Sequence, residues 1–303
     1  MPVGTRGSRL PGSSDDGRSA DRRGRTRLLL GLGIAAVAVV AAAFVLTRSS
    51  GPSLAAWSRL GTEDAHSLAF VGEDPNRLLF GHHGGVLRSV DGGRSWQPLA
   101  GGSDAMSLSS PAAMLIVLAG HDVLAESRDG GMTWQDIPAE LPNLDLHGFA
   151  QDPADQARMW AYLATGGLWE SRDGGRAWEL VSSENVVFPV AISTPTGVRL
   201  FGVTANGLAG SDDGGRTWRT LGDPGLYPMT SLAAAAGGSV LVAGGPDGLA
   251  RSNDGGASWS RLPFAGQPFA IALANAGRTV ALVTAETEFF RSDDGGRTWP
   301  AAP

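Results

Sequence analysis

An eight-residue phrase recurs six times along this chain, and its spacing dictates the fold. It reads SVDGGRSW at 89–96, SRDGGMTW at 127–134, SRDGGRAW at 171–178, SDDGGRTW at 211–218, SNDGGASW at 252–259 and SDDGGRTW at 292–299. The aspartates fall at 91, 129, 173, 213, 254 and 294, so successive intervals are 38, 44, 40, 41 and 40 residues. A period of this size with short apolar runs between copies marks a β-propeller, one repeat per four-stranded blade.

Within each copy the chemistry is that of a turn. Asp-Gly-Gly between apolar runs is a hairpin signal, because glycine reaches positive φ without steric cost. Asp91, Asp129, Asp173, Asp213, Asp254 and Asp294 can each accept hydrogen bonds from turn amides and from the flanking hydroxyls. Trp96, Trp134, Trp178, Trp218, Trp259 and Trp299 open the next strand and offer a large face to bury between blades. Six equivalent carboxylates spread around a ring cannot converge on one substrate, so they read as structural staples. The pattern resembles the Asp-box, or BNR, repeat of sialidases, sortilin-like receptors and photosystem II assembly factors. That resemblance implies a box joining the third strand of each blade to the fourth, on the face opposite the functional one.

The same spacing predicts how the ring closes. After a box, Trp begins a short strand, as in 218–221 (WRTL) and 259–262 (WSRL). The phrase WSRL also stands at 57–60 with no box before it, whereas only four residues follow Trp299. Residues 57–60 therefore supply the outer strand of the last blade. From Trp57 to Trp299 is 299 − 57 = 242 residues, or six repeats. The expected fold is all-β, a six-bladed propeller over 57–303 closed by an N-terminal strand.

The residues before it read as targeting. Positions 28–46 are 19 uncharged residues preceded by Arg22, Arg23, Arg25 and Arg27. At 1.5 Å per residue a helix of this length spans about 28 Å, close to a bilayer core. The arginines would hold the N-terminus in the cytoplasm and leave the propeller outside. A cleaved signal peptide is the alternative, although its apolar region is ordinarily about 7–15 residues. Residues 1–27 read as a disordered cytoplasmic tail and 47–56 as a linker. At most about 35 Å of linker would turn the box face toward the membrane and the opposite face away.

Composition narrows the chemistry. The chain has no Cys and no Lys, and all 24 basic residues are Arg. No disulfide framework and no thiolate metal site is available. Net charge is −6 overall. Residues 1–27 hold seven Arg against three Asp, or +4, so the remainder sums to −10. An acidic propeller is a poor nucleic-acid binder, and no nucleic-acid partner is expected.

Placing residues on a propeller template sorts them by face. All five histidines map to the end opposite the boxes, in three consecutive blades: His66, His82, His83, His121 and His147. Asp64, Asp104 and Asp145 precede the same inner strands. Neutral imidazoles with carboxylates from adjacent blades could bind a divalent metal, zinc or copper, and Met106 beside Asp104 would bias the site toward copper. His66, His83, His121 and His147 are equally candidates for binding another ligand. The arginines map to box turns, to the turns between first and second strands, or beside them. A sialidase holds its substrate carboxylate with three arginines and uses a Tyr nucleophile paired with Glu. Tyr227 with Glu286 or Glu288 is the one such pair by position, without arginines, so no classical sialidase site is expected. Hydrolysis through two carboxylates leaves Asp64, Asp104, Asp145, Glu286 and Glu288 as candidates.

The order DAH at 64–66, HHG at 82–84, DAM at 104–106, GH at 120–121 and LH at 146–147 also looks like a family of bacterial Asp-box proteins classed as glycosylhydrolases by homology. That resemblance covers about residues 57–299. It implies an extracytoplasmic, membrane- or lipid-tethered propeller, and its glycosidase label rests on the structural box. Three functions remain open: a metal- or ligand-binding module, a glycoside hydrolase, and a scaffold for a protein partner across the same face.

Overall fold

The computed structural model describes residues 54–303 apart from 73 and 113. The expectations for 1–27, 28–46 and most of the 47–56 linker lie outside the described residues. Among the described residues, no helix is long and apolar enough to cross a membrane.

The first strand, β1 (Ser58–Arg59), is separated from its sheet by the whole ring. Blade 1 holds β2 (Ser67–Val71), β3 (Asp74–His82), β4 (Gly85–Ser89) and β5 (Gln97–Pro98). Blade 2 holds β6 (Ser107–Ala112), β7 (Leu115–Gly120), β8 (Val123–Ser127) and β9 (Gln135–Asp136). Blade 3 holds β10 (Leu146–Gln151), β11 (Met159–Leu163), β12 (Gly167–Ser171) and β13 (Glu179–Ser182). Blade 4 comprises β14 (Val187–Thr194), β15 (Gly197–Thr204), β16 (Gly207–Ser211) and β17 (Arg219–Thr220). In blade 5 stand β18 (Ser231–Ala234), β19 (Leu241–Gly245), β20 (Gly248–Ser252) and β21 (Ser260–Leu262). Blade 6 is β22 (Pro268–Ala274), β23 (Thr279–Thr284), β24 (Glu288–Ser292) and, as its fourth strand, β1.

Every sheet is antiparallel, a meander in chain order in blades 1 to 5 and completed by β1 in blade 6, and the inner strands follow one another around a ring in which β22 also lies against β2. Ser58 pairs with Phe289 and Arg59 with Glu288. Trp57 anchors this junction. Its indole N–H donates to the Pro300 carbonyl at 2.9 Å. The guanidinium carbons of Arg94 and Arg291 lie 5.1 and 5.5 Å from its ring centroid. Leu54 and Ala56 pack on the core between blades 5 and 6, so the packed body begins ahead of Trp57.

Each box spans the third and fourth strands, as the resemblance implied. Ser89 Oγ donates to Asp91 Oδ1 at 2.8 Å and accepts from the Gly93 N–H at 2.9 Å. Asp91 also accepts from the backbone N–H groups of Arg94 and Ser95, and from Ser95 Oγ at 2.6 Å. Gly93 is required twice over. Its φ is +96°, and a Cβ there would come within 2.0 Å of the Phe289 ring on the neighbouring blade. The tryptophans line the seams between blades, Trp96 between blades 6 and 1 and Trp178 between blades 2 and 3. Trp96, Trp178, Trp218 and Trp259 donate to the second glycine carbonyl of their own box. The indole nitrogens of Trp134 and Trp299 are buried without that bond.

Candidate functional site

At the end of the ring opposite the boxes, the second-to-third-strand turn of one blade is hydrogen-bonded to the chain entering the next. Asp104 N–H donates to the His83 carbonyl at 2.9 Å, and Ala105 N–H to that of His82 at 3.1 Å. Asp122 N–H donates to the Leu144 carbonyl, and His121 forms a β-bridge with Asp145. Glycine permits this close approach. A Cβ on Gly81 would lie 2.4 Å from the Ala105 carbonyl oxygen, and one on Gly120 would lie 1.8 Å from that of Asp104. Asp104 itself sits at φ +54°, a left-handed conformation that Asp tolerates better than most residues.

These contacts draw residues from three blades into one row. His66 Nε2 is 2.9 Å from His83 Nδ1. Asp64 Oδ2 is 2.5 Å from His83 Nδ1, and Asp64 Oδ1 accepts from the His83 backbone N–H at 3.0 Å. On its other side, His83 Nε2 stands 3.5 Å from Asp104 Oδ1. Asp104 Oδ2 accepts from the His121 backbone N–H at 2.6 Å and lies 2.7 Å from His121 Nδ1. His121 Nε2 is 3.7 Å from Asp145 Oδ1, which is 2.9 Å from His147 Nε2. The row is thus seven side chains long, with alternating imidazoles and carboxylates over most of its length.

Three overlapping trios within the row present donors close enough to hold an ion: Asp64/His66/His83, His83/Asp104/His121 and His121/Asp145/His147. Zinc at about 2.0–2.1 Å from tetrahedral ligands places those ligands about 3.3 Å apart. The first trio has separations of 2.5, 2.9 and 3.5 Å, so it needs adjustments of tenths of an ångström. Two members of this trio, Asp64 and His66, have perturbed carboxyl and imidazole groups. Burial pushes the His66 imidazole below its ordinary value and so toward the neutral, ligating form. Burial alone would raise the Asp64 carboxyl. The hydrogen bonds from the His83 ring and backbone and the nearby imidazoles outweigh it and hold the group below its usual value.

His82 is adjacent in sequence to the row but belongs to none of the trios. It ends β3, its Nδ1 accepts from the Gly84 N–H at 3.1 Å, and its ring stacks on Phe80. Met106 donates its backbone N–H to the Asp104 carbonyl and is half-buried. Tyr227 and the two glutamates are not brought together. The Tyr227 hydroxyl lies beside Gly207 in blade 4, whereas Glu288 pairs with Arg59 at 2.6 Å in blade 6, and Glu286 is exposed. The six box carboxylates are each engaged by their own turn, Asp213 for example by Ser211, Arg216 and Thr217.

Arginines gather at the box end, where box turns meet the first-to-second-strand turns. Arg291 reaches from blade 6 to the Pro75 carbonyl in blade 1. Arg251 reaches from blade 5 to the Gly277 carbonyl in blade 6. One cluster escaped sequence reasoning. Glu170, 1% exposed, is met by Arg158 at 2.7 Å and by Arg172 and Arg216, each at 3.2 Å. A Glu inside a strand-plus-box phrase gives no signal of its own. Arg261 departs from the sorting by face, because its guanidinium donates to the Asp247 carbonyl in the turn after β19.

Comparison with known proteins agrees with this architecture. The sequence model described as photosynthesis system II assembly factor YCF48 matches residues 180–302. No curated protein matches the chain in sequence. Among solved structures it is similar to YCF48 bound to D1 peptide, with TM-score 0.51, 17% identity, and coverage of 82% of this chain and 86% of that one. It is also similar to YCF48 from Cyanidioschyzon merolae, with TM-score 0.52, 20% identity and coverage of 82% and 88%. A GH74 enzyme from Niastella koreensis aligns with TM-score 0.53 and 15% identity, over 82% of this chain and 48% of its own. The chain is a six-bladed propeller of the BNR, or Asp-box, type. The matched segment 180–302 lies after the His/Asp row, which ends at His147.

Proposed function

We propose that this propeller is a metal-binding module, held at a membrane by residues 28–46 and displaying its His/Asp face on the extracytoplasmic side. The observation that carries the reading is the row itself: four imidazoles and three carboxylates from three blades, with donor atoms 2.5–3.7 Å apart between neighbours. Imidazole with carboxylate, and no thiolate, suits Zn(II) and Cu(II). The uncharged 28–46 run and the arginines before it support the placement.

Hydrolysis of glycans fits the row less well. A general acid needs a carboxyl pushed up, whereas Asp64 is held below its ordinary value, and Asp104 and Asp145 face imidazoles. A second reading has one observation in its favour, the likeness to a YCF48 propeller bound to a peptide. On that reading a protein partner docks on the same end of the ring, where Tyr227 is half exposed.

Calorimetric titration of the full chain with Zn(II) and with Cu(II) tests the proposal. Binding that disappears when His66, His121 and His147 are replaced together by Ala supports it. Undiminished binding in that variant, or none in the parent chain, removes it.

A further inference from the structure

The row contains three trios but only four imidazoles, and that arithmetic limits what it can hold. A neutral imidazole has one unprotonated nitrogen, hence one lone pair for a metal. Each trio draws on two imidazoles. Four lone pairs therefore serve two trios at once. The central trio shares His83 with one neighbour and His121 with the other, so the single compatible pair is the two ends. Filling all three would require His83 and His121 to lose a second proton and bridge as imidazolates.

Resting on the metal-binding reading above, we propose that the row takes two divalent ions, one at Asp64/His66/His83 and one at His121/Asp145/His147, with Asp104 as the carboxylate that positions both sites from between them. The geometry of Asp104 carries this assignment. When His83 ligates through Nδ1, its Nε2 carries the proton and faces Asp104 Oδ1 at 3.5 Å. When His121 ligates through Nε2, its Nδ1 carries the proton and faces Asp104 Oδ2 at 2.7 Å. Asp104 Oδ1 is buried without a hydrogen-bond partner, and the His83 Nε2–H supplies one after a shift of a few tenths of an ångström. Metal-bound imidazoles commonly donate their second N–H to a carboxylate, which sets tautomer and ring orientation. One carboxylate here would do so for two imidazoles at once. It also stands between the two cations, where its negative charge offsets their repulsion.

A central ion would undo this arrangement. It would need lone pairs on His83 Nε2 and His121 Nδ1. The protons would move to His83 Nδ1, which faces Asp64 Oδ2 and His66, and to His121 Nε2, which faces Asp145. Both outer trios would then lose a ligand. One ion in the middle and two at the ends are mutually exclusive states of the same seven side chains.

The test is a count of bound ions by native mass spectrometry on the full chain titrated with Zn(II), in the parent and in His66→Ala, His147→Ala and Asp104→Asn. Two ions are expected in the parent. One is expected in each histidine variant. Asp104→Asn should retain two, each bound about 10–100-fold more weakly, because its amide oxygen can still accept the His121 backbone N–H. His147 is more exposed than His66, so its variant remains informative if His66→Ala fails to fold. A single ion that survives both histidine substitutions would place the metal in the central trio and overturn the assignment. So would three ions, or an Asp104→Asn variant that loses one ion outright. No ion in any sample removes the metal-binding reading itself.

Discussion

Asp104 Oδ2 accepts from the backbone N–H of His121 at 2.6 Å and lies 2.7 Å from its ring Nδ1. A carboxylate from the segment entering one inner strand thereby holds the main chain of the turn at the far end of the neighbouring strand and lies against its imidazole. The grip needs Gly120 beneath it, because the Asp104 carbonyl occupies the space a Cβ would fill. Backbone packing and candidate chemistry are thus coupled at one point, and several consequences can be measured.

Gly120→Ala should be costly out of proportion to one methyl. The new Cβ would lie 1.8 Å from the Asp104 carbonyl oxygen, and backbone cannot swing aside as a flexible side chain can. Overpacking of this kind costs about 1–3 kcal/mol. Chemical denaturation should show that loss, and Zn(II) titration should show weakened binding, since the Asp104 carboxylate moves with its backbone.

Removing the Glu170 carboxylate should destabilise the box end without touching the row. Glu170→Ala leaves Arg158, Arg172 and Arg216 facing one another around an empty, buried position. Deleting one partner of a fully buried ion pair costs about 3–5 kcal/mol, and the cost here should be smaller because water reaches all three guanidinium groups left behind. The melting temperature should fall, while metal affinity of the folded fraction stays at the parental value.

Trp57→Ala tests the closure of the ring. The indole holds the Pro300 carbonyl and lies against the guanidinium groups of Arg94 and Arg291. Large aromatic truncations in cores cost about 3–5 kcal/mol, and this half-buried site should give a cost near the lower end. Limited proteolysis should begin at 54–60, since β1 contributes only two residues to its sheet.

Acid should weaken the box turns at a defined pH. Burial is the largest single influence at Asp91, Asp213 and Asp294 and would raise each carboxyl, but the hydrogen bonds from neighbouring hydroxyls and backbone N–H groups together outweigh it and hold each at about 2, against an ordinary value of 3.8. Asp129 and Asp254 are also held at about 2, chiefly by the hydroxyls of Thr133 and Ser258. A depressed carboxyl contributes stability that is present above its unfolded value and lost as pH falls through its folded one. Denaturation midpoints should therefore drop steeply between about pH 4 and pH 2. Replacing Asp213 by Asn should remove part of that dependence.

Much of the architecture was legible because it depends on local chemistry repeated six times. Ser-x-Asp-Gly-Gly forms the same turn wherever it occurs, and its spacing counts the blades. The WSRL phrase at 57–60 was legible for the same reason, as a post-box strand without its box. The convergence of His66, His83, His121 and His147 was legible only through the propeller template, because 17 to 38 residues separate successive members. What stayed hidden turns on single-residue differences and long side chains. His82 and His83 are neighbours, yet one ring ties back to Gly84 and the other enters the row. Arg261 and Glu170 act across turns and blades, at distances no sequence spacing encodes. Tyr227 and Glu288, which position alone set at the same end of the ring, lie in different blades, the tyrosine hydroxyl beside Gly207 in blade 4 and Glu288 on Arg59 in blade 6.

X-ray absorption at the zinc edge of the loaded full chain tests the central claim most directly. The account predicts an average of two imidazoles per ion with nitrogen at about 2.0–2.1 Å and a carboxylate oxygen at similar range. It also predicts loss of the imidazole signature when His66, His121 and His147 are replaced together by Ala. An oxygen-only shell, or a spectrum the triple substitution leaves unchanged, would contradict it.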